Sequence, residues 1–290
     1  MVFNSQLAAN PEEAACLASF KEALAQNFEI PKLSCGPPLD HDLTLLRFVR
    51  GYHLNLKDAT KAFGEMLAYR AANKIDEARE AMYAAKSAED DELAWPATGI
   101  SKFEPLVKVT GGGLMRRIGQ SANGCPATLC LIHLYDVKAV VKAGLGDLLV
   151  ELQQWQDEWW GITLLQKSEQ HGSMLARVDV VHVAELSLFH FDISASKQLM
   201  KVLEGSKHYP ESSARIVSSG NGKALLAMYN AVIKPFMPAH TKQKLLVLGK
   251  DIEKPSNKEA IGFDEKTFSV LLDMCGRSAL GGAAIDVSDS

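Results

Sequence analysis

The chain lacks several things that would have decided its class at once. No run reaches the roughly 18 apolar residues that a membrane-spanning helix needs, so no span is expected. The opening MVFNSQLAANPEEAA has neither a basic start nor an apolar core, so no secretory leader is expected. Val2 stands where N-myristoylation needs glycine, and no prenylation ending is present. Excess charge of one sign is missing too: 31 Lys+Arg face 35 Asp+Glu, a formal net charge of -4. A general nucleic-acid binder is usually basic, so no nucleic-acid partner is expected. The five cysteines, Cys16, Cys35, Cys125, Cys130 and Cys275, are odd in number and scattered. That argues against a disulfide framework and for reduced thiols in a cytoplasmic protein. Cys125 and Cys130 have no second Cys/His pair to complete a zinc site, so no metal is expected.

Enzyme signatures are equally scarce. There is no G-x-S-x-G nucleophile elbow and no H-E-x-x-H pair. Gly111-Gly112-Gly113 does not continue as a dinucleotide loop and fits a hairpin turn better. Gly220-Asn221-Gly222-Lys223 is the best phosphate-loop candidate, but a P-loop lysine is followed by Ser or Thr and here by Ala224. His182 and His190 find no carboxylate partner that completes a metal set. No catalytic residue is assigned. A nucleotide-dependent enzyme built on Gly220–Lys223 stays as an alternative from another class, and an adaptor with a vestigial pocket as a third.

At 290 residues the chain can bury a large core without staples. Its first third reads as helical. Asn10 before Pro11, with Glu13 three residues on, is a capping box, and Asn55 with Asp58 is a similar start. Leu17, Phe20, Leu24 and Phe28 follow the first cap at helical spacing. Further helices begin near Asp42 and cover roughly 76–92. After Trp95-Pro96, short β-rich runs alternate with helical ones. The expected strands are 106–110, 127–135, 176–184, 215–219 and 244–248. The expected helices are 146–171, 194–208 and 223–237, followed by a polar tail and a helix near 265–274. Strand–helix alternation predicts an α/β fold with a mixed or parallel sheet behind a helical lobe. The expected domains are residues 1–95, 96–250 and a C-terminal extension, 251–290.

Two apolar surfaces remain. The run Lys223–Met237 leaves few positions polar; such a helix is buried, covers an apolar cavity or touches a membrane. In Ala176–Ala184, Arg177, Asp179 and Val181 share one face by alternation. A charged pair there must be internally paired or meet a polar ligand group.

The order of elements resembles the CRAL-TRIO lipid-binding family. Leu45–Lys74 is similar to the family's L-R-F-L-R run and following amphipathic helix, with Tyr69-Arg70 at the W-R position. Tyr209-Pro210-Glu211, Lys234-Pro235-Phe236, Thr241, Lys244 and Leu248-Gly249 fall at family spacing, and Leu280-Gly281-Gly282 resembles the closing motif. The resemblance covers about residues 40–282. It implies a non-enzymatic, monomeric, cytoplasmic carrier of one lipid, peripherally associated with membranes, needing no cofactor beyond its ligand. A sheet would floor an apolar pocket lined by Thr128, Cys130, Ile132, Arg177, Asp179 and Val181. Leu225, Met228, Tyr229, Val232, Ile233 and Phe236 would form a gate helix. Glu211, Thr241 and Lys244 match the phosphoinositide headgroup site, with Tyr52 and His53 where family members carry basic residues. Arg177 and Asp179 stand where the family's phosphocholine-binding Ser and Thr stand. That departure leaves a sterol, tocopherol, retinoid or carotenoid as the alternative ligand.

Overall fold

The computed structural model describes residues 5–85, 100–110, 116–131, 137–183, 193–220, 239–248 and 252–279. The helical lobe begins with α1 (Pro11–Asn27), whose capping box forms as expected: Glu13 N donates to Asn10 Oδ1 at 2.9 Å and Asn10 N to Glu13 Oε2 at 3.1 Å. Helix α2 (Asp42–Gly51) is capped by His41, whose Nδ1 accepts from Leu43 N. Asn55 caps α3 (Leu56–Ala72), and α4 (Ile75–Ala85) closes the lobe. Phe20, Phe48 and Phe63 hold α1, α2 and α3 together, edge-to-face where Phe63 meets the other two. Such ring pairs add to plain area burial.

The α/β part opens with α5 (Glu104–Val109), and here one expectation fails. The run 106–110 is β-rich in composition like a strand, yet it is helical to Val109 with Thr110 as the C-cap. Pro105 occupies the first turn, where its missing N–H costs nothing, and Thr110 bonds back to Leu106 O through both N and Oγ1. Leu106 packs with Phe103, Val137, Val140 and Trp155. Because a helix precedes them, Gly111–Gly113 do not join two strands; their own conformation lies outside the described residues. The hairpin instead joins β1 (Arg116–Gln120) to β2 (Pro126–Leu131) through a tight turn closed by Ser121 and Cys125.

Helices α6 (Val137–Lys142) and α7 (Gly146–His171) cross to β3 (Arg177–His182). Helix α8 (Ile193–Glu204) and a single 3-10 turn, Gly205–His208, precede β4 (Ser213–Ser219). The short helix α9 (Ala239–Lys244) leads directly into β5 (Leu245–Val247), so Lys244 ends a helix rather than starting the strand. The tail, expected to be polar, contains α10 (Pro255–Ile261) before α11 (Glu265–Ala279).

The five strands lie in chain order, β1 antiparallel to β2 and the rest parallel. The fold is therefore α/β with a mixed sheet. Parallel neighbours require crossovers, and these supply the covering helices. One sheet face carries Ala127, Leu129, Leu131, Val178, Val180 and Val217, which cluster with Phe268, Leu271 and Cys275 of α11. Gly119 lets α11 approach: at φ 143° it sits where a β-carbon would lie 2.2 Å from Thr267 Oγ1, which accepts from Gln120 N.

Candidate functional site

The two halves of the molecule meet on α7. This helix is buried on several sides and carries Gln154, Gln156, Asp157 and Glu158 inside the protein. Glu158 accepts two bonds from Arg70, Nη1 to Oε2 at 2.6 Å and Nη2 to Oε1 at 2.9 Å. Tyr209 donates its hydroxyl to Oε2 at 2.8 Å, and Arg79 Nε lies 3.2 Å from Oε1. Burial alone would raise the carboxyl's pKa; the Arg70 charge and hydrogen bonds outweigh it and hold Glu158 below the ordinary carboxylate range. Two motif residues of the family pattern, Arg70 and Tyr209, thus share one carboxylate that the motifs do not contain. Glu158 has no signal in the sequence beyond an acidic residue in the aromatic run QDEWW.

A cavity of about 70 Å³ lies beside this network, lined by Pro37, Pro38, Phe48, Arg47, Ile162 and His208 among others. A single water needs roughly 10–15 Å³ of such room, so this space suits a few waters and not a lipid.

The expected headgroup residues divide. Glu211 and Lys244 come together, Nζ to Oε1 2.9 Å, with side chains only 12% and 11% exposed. Glu211 is left-handed at φ 56°, a conformation costly for a residue with a β-carbon. Arg47 holds it there: Nη1 donates to the Glu211 carbonyl at 2.6 Å, and Nη2 to Leu175 O at 2.6 Å. Burial pulls the Arg47 pKa down to about 10, which leaves it charged at neutral pH. The end of α2 abuts the same turn, since a β-carbon on Gly51 would sit 2.9 Å from Pro210 Cβ. Tyr52 stacks on Phe48, ring centroids 6.3 Å apart, within the helical lobe. His53 is exposed, in the turn that follows α2, at φ 54°. Thr241 lies on α9, one turn before Lys244.

The described residues expected to line a pocket, Thr128, Cys130, Arg177, Asp179 and Val181, share one face of the sheet. Register pairs Thr128 with Asp179 and Cys130 with Val181, then Asp179 with Ile216 and Val181 with Ser218, then Ile216 with Leu245 and Ser218 with Val247. Period-two alternation puts these on one side of the sheet. At the carboxyl half, Cys130, Val181, Ile216, Ser218, Leu245 and Val247 all keep some exposed surface, whereas Leu131, Val180 and Val217 opposite are buried. The Cys130 thiol is pushed up to about 12 by desolvation and stays protonated. The sheet therefore has one packed face and one half-exposed apolar face, at the strand ends where open α/β sheets bind ligands.

Toward the amino ends the same face turns polar and buried. Thr128 Oγ1 donates to Asp179 Oδ1 at 2.8 Å and Ser213 Oγ to Oδ2 at 2.5 Å. Arg177 Nε stands 3.2 Å from Asp179 Oδ1, and its guanidinium carbon lies 5.5 Å from the Trp160 ring centroid. The charged pair expected from the strand pattern is thus internally paired, though not completely.

Ile132 and the gate residues Leu225, Met228, Tyr229, Val232, Ile233 and Phe236 lie outside the described residues, as do His190 and Asn221–Lys223. His182 is buried, its Nδ1 3.0 Å from Ser219 Oγ. Among the described residues no group of three His, Cys, Asp or Glu is placed to hold a metal. No helix among them is long and apolar enough to cross a membrane.

No protein-family model matches the chain. Among solved structures the chain is similar to the crystal structure of Sfh5, with 15% identity over 93% of this chain and 99% of that one and a TM-score of 0.49.

Proposed function

We propose that this protein is a non-enzymatic carrier of a single amphiphilic lipid, of phosphatidylinositol type, which it exchanges at membrane surfaces. The observation that carries this reading is the half-exposed apolar sheet face with the Lys244–Glu211 pair on α9 and the turn before β4, the segments flanking its last two strands. An apolar floor suits acyl chains, and a desolvated ammonium beside a carboxylate suits a phosphate with sugar hydroxyls. The ordered CRAL-TRIO motifs support the same assignment.

Transfer free energy explains the need for such a protein. Each acyl CH₂ exposed to water costs about 0.8 kcal/mol, so two chains would cost on the order of 20 kcal/mol in transit. An apolar chamber removes that cost, and exchange with a bilayer becomes nearly isoenergetic. The segment 223–237 is the proposed gate over the chamber, opening on membrane contact and closing in water. In the bound state Lys244 carries the phosphate and Glu211 the inositol hydroxyls, with Thr241 as a further donor and the end of α2, Tyr52 and His53, at the rim.

The deciding experiment is native mass spectrometry of the purified protein with lipid extraction, followed by transfer of labelled phosphatidylinositol between vesicles. Lys244→Ala is expected to lower phosphatidylinositol transfer at least tenfold, the scale of one lost charge-assisted hydrogen bond. Glu211→Ala is expected to do less, and circular dichroism with a melting curve shows that each variant is folded at the assay temperature. Undiminished transfer in Lys244→Ala would remove the headgroup assignment. Absence of transfer for every lipid tested would remove the carrier reading itself.

A further inference from the structure

The Arg177 guanidinium is 6% exposed, and its Nη1 has no hydrogen-bond acceptor among the described residues. Its Nε keeps an ion-pair distance to Asp179 without hydrogen-bond alignment. Asp179 accepts from the hydroxyls of Thr128 and Ser213 and is not placed to accept from Nη1. A buried donor with no acceptor costs about as much as a lost hydrogen bond, so an acceptor from outside the chain belongs there. Register places Arg177 on the face whose carboxyl half is the half-exposed floor, so the donor stands at the inner, polar end of that floor.

Charge selects which acceptor fits. One guanidinium already faces two buried carboxylates, Asp179 at 3.2 Å and Asp157 on α7 through its field. A phosphate or carboxylate would add another negative charge to a desolvated site where, among the described residues, Arg177 already faces two carboxylates. A quaternary ammonium brings no acceptor and would leave Nη1 unpaired. We infer that Arg177 docks an uncharged oxygen of the bound hydrophobe, a hydroxyl or carbonyl, and so sets which lipids the floor accepts. This rests on the carrier reading and adds a second polar contact, separate from the Lys244–Glu211 pair. The oxygen can come from a hydroxyl-ended hydrophobe or from the ester carbonyl of a phospholipid.

The test uses the full chain and three amphiphiles with one chain length and different ends: 1-hexadecanol, palmitate and hexadecyltrimethylammonium, kept below micelle formation. Displacement of a fluorescent fatty-alcohol probe reads the affinities. Wild type is expected to prefer hexadecanol about tenfold over each charged amphiphile, the weight of one satisfied buried hydrogen bond. Arg177→Met should abolish that preference. The double variant Arg177→Met/Asp179→Asn keeps the cluster neutral and should give the same loss if the single variant folds poorly. A second pair, diacyl and diether phosphatidylinositol, separates the sources. If the ester carbonyl is the natural acceptor, wild type favours the diacyl lipid and the variants do not; if a hydroxyl is, the two lipids bind alike while the hexadecanol preference stands. Equal affinity for all three ends, or a preference unmoved in both variants, would overturn the inference and leave the carrier reading standing. Failure to bind any amphiphile or phosphatidylinositol would overturn both.

Discussion

At the residue scale, Asp157 shows how much one buried carboxylate can shape stability. It accepts from Gln153 at 3.0 Å and Ser206 at 3.2 Å, tying α7 to the turn that precedes Tyr209. Its pKa is pushed up to about 6, chiefly by desolvation, against the lowering effects of Arg177 and the two hydrogen bonds. The ordinary value is 3.8, so the folded state holds this proton more tightly than the unfolded chain. The sign follows: the contribution is fullest below about pH 4, falls as pH rises through 6, and is constant above. A tenfold difference in proton affinity is worth roughly 1.4 kcal/mol, so Asp157→Asn should gain up to about 3 kcal/mol relative to wild type at pH 7 and nothing at pH 4. Urea midpoints at the two pH values check this, and a gain equal at both would contradict it. The sequence named Asp179 and Arg177 as a charged pair on one strand face. It was silent on Asp157 and Glu158, because burial of an acidic residue depends on what packs over it.

At the scale of elements, local signals were legible where the chain decides its own conformation. Asn10 and Asn55 cap the helices expected of them, and the long helix Gly146–His171 forms over the expected span. Gly172 ends that helix in a left-handed C-cap at φ 70°. The run 106–110 reads as a strand because Val107, Val109 and Thr110 are β-branched, but packing of Leu106 with Trp155 and Phe103 outweighs that preference. Gly51 gives a test at this scale. Alanine in a helix is ordinarily better than glycine by about 1 kcal/mol. Here a β-carbon would stand 2.9 Å from Pro210 and 3.8 Å from Glu211 Cγ, so the sign reverses. Gly51→Ala should lower stability by roughly 1–3 kcal/mol, the usual range for overpacking. If the proposed headgroup site is correct, it should also weaken phosphatidylinositol binding by shifting Glu211. Denaturant titration and vesicle transfer read the two effects, and a stabilised variant would show that the α2–Pro210 contact yields easily.

At the scale of the whole molecule, the helical lobe and the α/β part are joined by polar locks as well as by apolar packing. Arg70 and Arg79 of the lobe close on Glu158, Arg47 reaches Leu175 and Glu211, and Leu43 and Leu46 pack on Leu165 and Met174. Removing one partner from a buried ion pair leaves the other charge uncompensated, a loss of about 3–5 kcal/mol. Glu158→Gln should cost on that order and should raise hydrogen exchange in α3 and α4 before the sheet. Uniform exchange at wild-type levels would mean that apolar contacts alone hold the lobe.

The sequence by itself determined the fold class, most helix boundaries, the parity of Thr128, Cys130, Arg177, Asp179 and Val181, and the motif residues Arg70, Tyr209, Glu211 and Lys244. The first three follow from capping, periodicity and alternation, which are properties of neighbours along the chain, and the motif residues from the resemblance to the CRAL-TRIO pattern. Only the tertiary structure decided that Arg70 and Tyr209 converge on Glu158, that Arg47 holds Glu211 in its left-handed turn, and that Arg177 keeps an unmet donor. The first two of those outcomes join residues 51 to 164 positions apart. They depend on which charges lose their water together, and spacing along a chain does not encode that.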